Sequence, residues 1–137
     1  MKVKAEIITL CDYALISQEG KLSVIGVFDE VRVMQIPGGV ARAFFVATIK
    51  GEPQTNYSFI LKAENENDKS EILKPLEIKV KTGYNGKSNI LVQLINLIFN
   101  KPGEYRFSIL SNDEIIGSLV LQTFLVKGND KFYGKQN

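Results

Sequence analysis

Turn-forming residues interrupt this chain at short intervals: Gly20, Pro37-Gly38-Gly39, Gly51-Glu52-Pro53, residues 65–68, residues 83–86, Pro102-Gly103, Asn112-Asp113 and Gly128. The runs between them are rich in Val, Ile, Phe and Tyr. Several alternate with a period of two, the signature of a strand with one buried face. The alternation is clearest where Leu76, Ile78 and Val80 interleave with Glu77, Lys79 and Lys81. It recurs at Tyr57, Phe59 and Leu61, and again at Tyr105, Phe107 and Ile109. Asn112-Asp113 then offers a tight turn into an apolar run, so residues 104–126 read as a hairpin.

With the runs 3–16, 21–33, 42–50 and 89–100 this makes about eight strands, at the spacing of a sandwich or barrel. The expectation is an all-β fold, a two-sheet antiparallel β-sandwich, Ig-like or jelly-roll-like. Residues 90–99 (ILVQLINLIF) fit two structures. A strand covered on both faces reads this way. So does a short helix, because Leu91, Leu94, Ile95 and Ile98 form a helical stripe. The β rhythm that resumes after Pro102-Gly103 favours the strand. The space between the sheets is expected to hold Phe44 or Phe45, Val46, Phe59, Leu61, Ile78, Val80, Tyr105, Phe107, Leu119 and Leu121.

The length, 137 residues, suits one domain with a sizeable core. The division expected is a single sandwich over residues 1–127 and a polar tail over residues 128–137. One cysteine permits no internal disulfide, which fits a reducing compartment. Seventeen Lys and Arg against 15 Asp and Glu give little long-range attraction to nucleic acid or acidic membranes. The modest excess at Lys127, Lys131 and Lys135 reads as a solvated terminus. Neither a signal peptide nor a membrane span is visible, so the default location is cytoplasmic.

The chain contains no histidine, which removes Ser-His-Asp and Cys-His catalysis in their usual forms and imidazole-based zinc sites. Residues 83–88 end in Gly-Lys-Ser, yet Lys81 stands where a phosphate loop needs its first glycine; the segment reads as a hairpin loop. Cys11 has no histidine to deprotonate it and reads as a small buried hydrophobe. Glu64, Glu66 and Asp68 offer oxygens for calcium but lack EF-hand spacing, so a solvated hairpin tip is the simpler reading. No catalytic residue, metal ligand or cofactor is assigned, and the chain is expected not to be an enzyme. In Pro102-Gly103-Glu104-Tyr105 the tyrosine hydroxyl is expected to tie a strand to the preceding loop.

Leu10-Cys11-Asp12-Tyr13-Ala14, followed by Gly20-Lys21-Leu22-Ser23-Val24-Ile25-Gly26 and later by Pro102-Gly103-Glu104-Tyr105, resembles a family of small bacterial proteins classed only as a domain of unknown function. The resemblance implies a β-sandwich and carries no activity, substrate or catalytic residue. Read directly, residues 3–16 and 21–28 form a hairpin closed by the polar turn 17–20, and Gly26 marks a bulge or close backbone approach. Asp12 and Asp29 are expected to anchor that hairpin through backbone amides.

Two function classes follow. One is a non-catalytic protein-interaction or structural module, binding an unidentified protein partner or a second copy, with no nucleic acid and no membrane. The other is a small-ligand or carbohydrate-binding sandwich, for which Tyr13, Tyr84 and Tyr133 are the available aromatic rings.

Overall fold

Backbone N–H and C=O groups that go into an apolar interior must find partners, and the alternating runs do so by pairing into two stacked sheets. The computed structural model describes residues 2–126. The tail 128–137, with Lys127, Lys131, Tyr133 and Lys135, lies outside the described residues. The strands are β1 (Lys4–Ile16), β2 (Leu22–Phe28), β3 (Glu30–Val33), β4 (Gly38–Lys50), β5 (Asn56–Asn65), β6 (Glu71–Lys81), β7 (Lys87–Phe99), β8 (Gly103–Ser111) and β9 (Glu114–Leu125). One sheet has the order β2-β1-β4-β7 and the other β3-β9-β8-β5-β6. This is an all-β, two-sheet sandwich, as the alternation implied.

Nine strands stand where about eight were expected. The run 21–33 divides at Asp29: β2 remains beside β1, while β3 crosses to the other sheet and lies parallel to β9. The sandwich is therefore antiparallel with one parallel pair. A second correction concerns residues 83–88. They do not close a hairpin but carry the chain from β6 in one sheet to β7 in the other. The companion crossing, between β4 and β5, is bound to this one. Gly51 N–H donates to Gly86 O (2.7 Å) and Gln54 N–H to Gly83 O (3.0 Å), and the buried Thr82 hydroxyl donates to Glu52 O and accepts from Thr55 N–H.

Segment 90–99 is a strand throughout. The residues of the helical stripe do not share a face: Leu94 is buried between the sheets, Leu91 packs on the outer face, and Ile95 and Ile98 are exposed. Asn96 takes a left-handed conformation (φ 54°), and there the alternation slips by one: the inward row runs Ile90, Val92, Leu94, then Leu97 and Phe99. Opposite Leu97 and Ile98 lies Gly39, whose missing side chain lets the β4 backbone come against the Leu97 carbonyl.

Between the sheets Phe45 stacks on Phe107 with ring centres 6.3 Å apart, and Phe99 tilts against Tyr105 at 4.9 Å. Phe45 rather than Phe44 faces inward; Phe59, Leu61 and Leu121 are fully buried, and Ile78, Val80 and Leu119 pack partly buried against them. Leu10, Ile49 and Ile109 complete the interior. Val46 is buried but on the opposite face of its sheet, not between the sheets.

At the start of β8 the Tyr105 hydroxyl donates to Lys101 O at 2.7 Å, the tyrosine-corner arrangement of Ig-like sandwiches. Tyr105→Phe keeps the ring and removes this bond. Urea unfolding should show a loss of about 1–2 kcal/mol. The β8–β9 hairpin closes through Asn112 and Asp113, with φ of 50° and 66°. That is a type I′ turn made without glycine, which Asn and Asp tolerate better than other residues.

Candidate interaction surface

The β1–β2 hairpin is kinked. Cys11 pairs with Val27 and Tyr13 with Ile25, but the ladder skips Asp12 and Gly26. Gly26 has φ 71°, and the Asp12 carboxylate sits where its side chain would be. Beyond this point the hairpin folds onto the outer face of the four-stranded sheet. There Ala14, Cys11 and Val46 are buried together, with Leu22, Phe44 and Leu91 packed around them. Sequence reasoning found the special backbone at Gly26 but not the fold-back, which is why Val46 was placed between the sheets. Neither Asp12 nor Asp29 bonds a backbone amide through its carboxylate among the described residues. Asp29 joins β9 through its backbone carbonyl, which accepts from Gln122 N–H at 3.0 Å.

Each sheet has two edges, and they differ in chemistry. β3 is four residues long. β6 carries Lys74, Pro75, Glu77, Lys79 and Lys81, all features that discourage another strand from pairing. β2 is interrupted by the Gly26 kink. β7 is 13 residues long and, among the described residues, pairs with β4 alone, its ladder skipping Asn96. From Ser88 to Asn100 it has no charged residue. Beside this edge Ile95 is 60% exposed, and Ile98 and Leu76 are also left open. A groove of about 220 Å³, lined by Ile72, Leu73, Leu76, Val92 and Leu94 and also by Lys74, runs between the β6 and β7 edges.

The other sequence candidates are scattered. Cys11 is fully buried; burial pushes its thiol pKa up, and Sγ donates to Tyr13 O at 3.3 Å. It should resist alkylation by a thiol reagent in the native protein and react fully once denaturant unfolds the chain. In the acidic loop Asn65 Oδ1 accepts from Asn67 N–H and Asp68 N–H. Glu66 takes two bonds from Arg106, at 3.0 and 2.8 Å, which hold its carboxyl below the usual range, while Asp68 pairs with Lys101. Arg106 also donates to Ser118 Oγ at 2.8 Å. These carboxylates have cationic partners of their own, and no three Cys, Asp or Glu side chains converge as metal ligands among the described residues.

Tyr13 meets the edge of Phe44 with ring centres 5.5 Å apart, and Tyr84 is 85% exposed in the β6–β7 crossing. The two stand at opposite ends of the four-stranded sheet: Tyr84 precedes Lys87, whose neighbours across the sheet are Lys50 and then Lys4. Tyr133 lies outside the described residues. Among the described residues no helix is long and apolar enough to cross a membrane.

Several solved structures of similar fold are far longer proteins that match this chain over a small part of their length. A β-glucosidase from Listeria innocua in complex with isofagomine matches with TM-score 0.53 and 8% identity, over 91% of this chain and 16% of that one. An alkylpurine DNA glycosylase from Pseudomonas fluorescens, bound to DNA containing an abasic site analog, matches with TM-score 0.54 and 11% identity, over 89% and 30%. An immunoglobulin-like protein from Pseudomonas aeruginosa aligns over 90% of this chain and 97% of its own, with TM-score 0.48 and 12% identity. This chain thus spans about a sixth of the β-glucosidases it matches. At these identities the likeness concerns the fold alone. No curated protein matches the sequence significantly. The model of a family of unknown function (DUF6941) matches residues 6–123.

Proposed function

The chain belongs to DUF6941, a family of unknown function, and on that footing we propose that it is a non-catalytic protein-interaction module that docks its partner along the free edge of β7. The observation that carries this reading is the contrast in charge and length among edges: β3 is short, β6 is guarded by charge and proline, β2 has seven residues and a break at Gly26, and β7, although it too is interrupted at Asn96, is long, uncharged and flanked by exposed Ile95 and Ile98. A row of unpaired backbone groups beside apolar side chains is what an added strand recognises.

The chemistry supports a binding rather than a catalytic role. There is no histidine, and the single cysteine is buried as a protonated thiol. The near-even charge favours a protein partner over nucleic acid or an acidic membrane. A lone cysteine also fits a cytoplasmic setting. The carbohydrate reading has less behind it, since Tyr13 and Tyr84 cannot serve one platform.

The test is capture from native cell extract with the tagged full chain and with Ile95→Lys, followed by light scattering on the eluates. A stoichiometric partner held by the wild type and lost by the variant is the expected result. Capture that ignores the substitution, or a chain that binds neither a partner nor itself, overturns the proposal.

A further inference from the structure

We propose that Asn85 is a latent deamidation site, kept intact by the clasp that joins the two crossings and converted to aspartate and isoaspartate only when that clasp opens. Asn85-Gly86 is the sole Asn-Gly step in the chain. Here the backbone nitrogen of Gly86 can attack the side-chain carbonyl carbon of Asn85 with no following side chain in the way. The nitrogen gives up its proton, its bond to Cγ forms and the Cγ–Nδ2 bond breaks. Ammonia leaves with that proton, and a succinimide remains. Water then opens the ring at either carbonyl, giving aspartate or isoaspartate. The net change is a water taken up and an ammonia lost. The other asparagines from Asn56 to Asn129 precede residues whose side chains crowd the attack.

The fold imposes this labile pair. Gly86 has φ 79°, and a methyl group there would run into the Gly51 carbonyl oxygen, so the position requires glycine. Asn85 Oδ1 accepts from Lys87 N–H at 3.0 Å, a bond that closes the turn and needs a side-chain oxygen at this position. Asn85 is exposed, so water reaches its side chain.

The same turn withholds the attacking atom. Gly86 is buried, and its N–H donates to Gly83 O at 3.0 Å, which aims the proton at a carbonyl and away from any base in solution. At the other side of the same peptide plane, Asn85 O accepts from Lys50 Nζ at 2.9 Å. Closing the succinimide turns this plane towards Cγ and breaks both bonds. Gly86 is held a third time, because its carbonyl accepts from Gly51 N–H at 2.7 Å across to the other crossing. Thr82 fastens the pair: its buried hydroxyl donates to Glu52 O and accepts from Thr55 N–H. The reactive geometry therefore becomes available through a local opening of the two crossings together, and conversion at Asn85 counts those openings.

Peptide mass spectrometry of the full chain, incubated at mildly alkaline pH in native buffer and in unfolding urea, tests this. In urea, Asn85 is expected to convert before any other asparagine. In native buffer its conversion is expected to be at least about tenfold slower. Thr82→Val keeps the side-chain shape and removes both hydroxyl bonds. It is expected to convert faster than wild type in native buffer and at the same rate in urea. Should T82V fail to fold, wild type in urea below its unfolding transition makes the same test, with a rate that climbs before the chain unfolds. A native rate equal to the rate in urea overturns the inference. So does another asparagine converting first in urea, or a folded T82V converting no faster than wild type.

Discussion

Phe107→Ala should lower the unfolding free energy by about 3–5 kcal/mol, enough to consume much of the stability of a domain this size. Phe107 is fully buried on β8, between Ala63 of β5 and Leu119 of β9, and its ring stacks on Phe45 from the opposite sheet. Truncation removes the contact that joins the layers and leaves a cavity walled by paired strands, which have little freedom to collapse. Phe44→Ala is the control. That ring is half-buried on the outer face of its sheet, against Tyr13, and about half the loss is expected there. Urea titrations of both variants check the pair; equal losses would mean that the inter-sheet stack has no special weight.

The second large effect is expected from Gly39→Ala, about 3 kcal/mol. The added methyl would run into the carbonyl oxygen of Leu97, and the backbone of Ile98 is close behind. Backbone cannot swing aside as a side chain can, so the ends of β4 and β7 must part. Gly83→Ala offers the comparison, since nothing lies closer than 3.5 Å to the position its methyl would take and its φ is not in the left-handed range. Amide exchange should show faster exchange over the β4–β7 pairing from Gly38 to Val40 in the Gly39 variant and little change in the Gly83 variant. A Gly39 variant as stable as wild type would mean that the close approach is not obligatory.

Legibility in the sequence followed how local each cause was. The β5, β6 and β8 alternations reported their own burial, because each strand has one face on the core. The Tyr105 hydroxyl bond was readable because its partner lies only four residues away, at Lys101. Residues 90–99 resisted a single reading because apolar side chains stand on both faces: Leu94 is buried between the sheets, Leu91 packs on the outer face, and Ile95 and Ile98 are exposed. Val46 was misplaced because its cover comes from Ala14 and Leu22, on a hairpin that folds over the outer face. Nothing in a period-two pattern announces such a layer. The parallel partner of β3 was equally hidden, since pairing with a distant strand leaves no mark on four residues. Of the candidate surface, the apolar run was visible, but its place at an edge depends on sheet order, which alternation does not encode.

The order β3-β9-β8-β5-β6 also bears on how the chain folds as it is made. The four-stranded sheet has all its members once β7 has emerged. Its companion does not: β3 and the β5–β6 hairpin exist by then as separate flanks with a gap between them, and the β8–β9 hairpin must enter that gap to join them. Glu30 therefore waits for Gln122, an interval of about 5–20 s at ribosomal speed. Such distant pairing is slow to form in any case. From the completion of β7 at Phe99 until Gln122 is made, about 1–5 s, the inner face of the finished sheet, Phe45 included, lacks the middle of its opposing layer. The nascent chain thus depends on holding that face out of reach of other chains until residues 103–125 arrive, so the last hairpin synthesised sets the moment at which the protein becomes safe from misassociation.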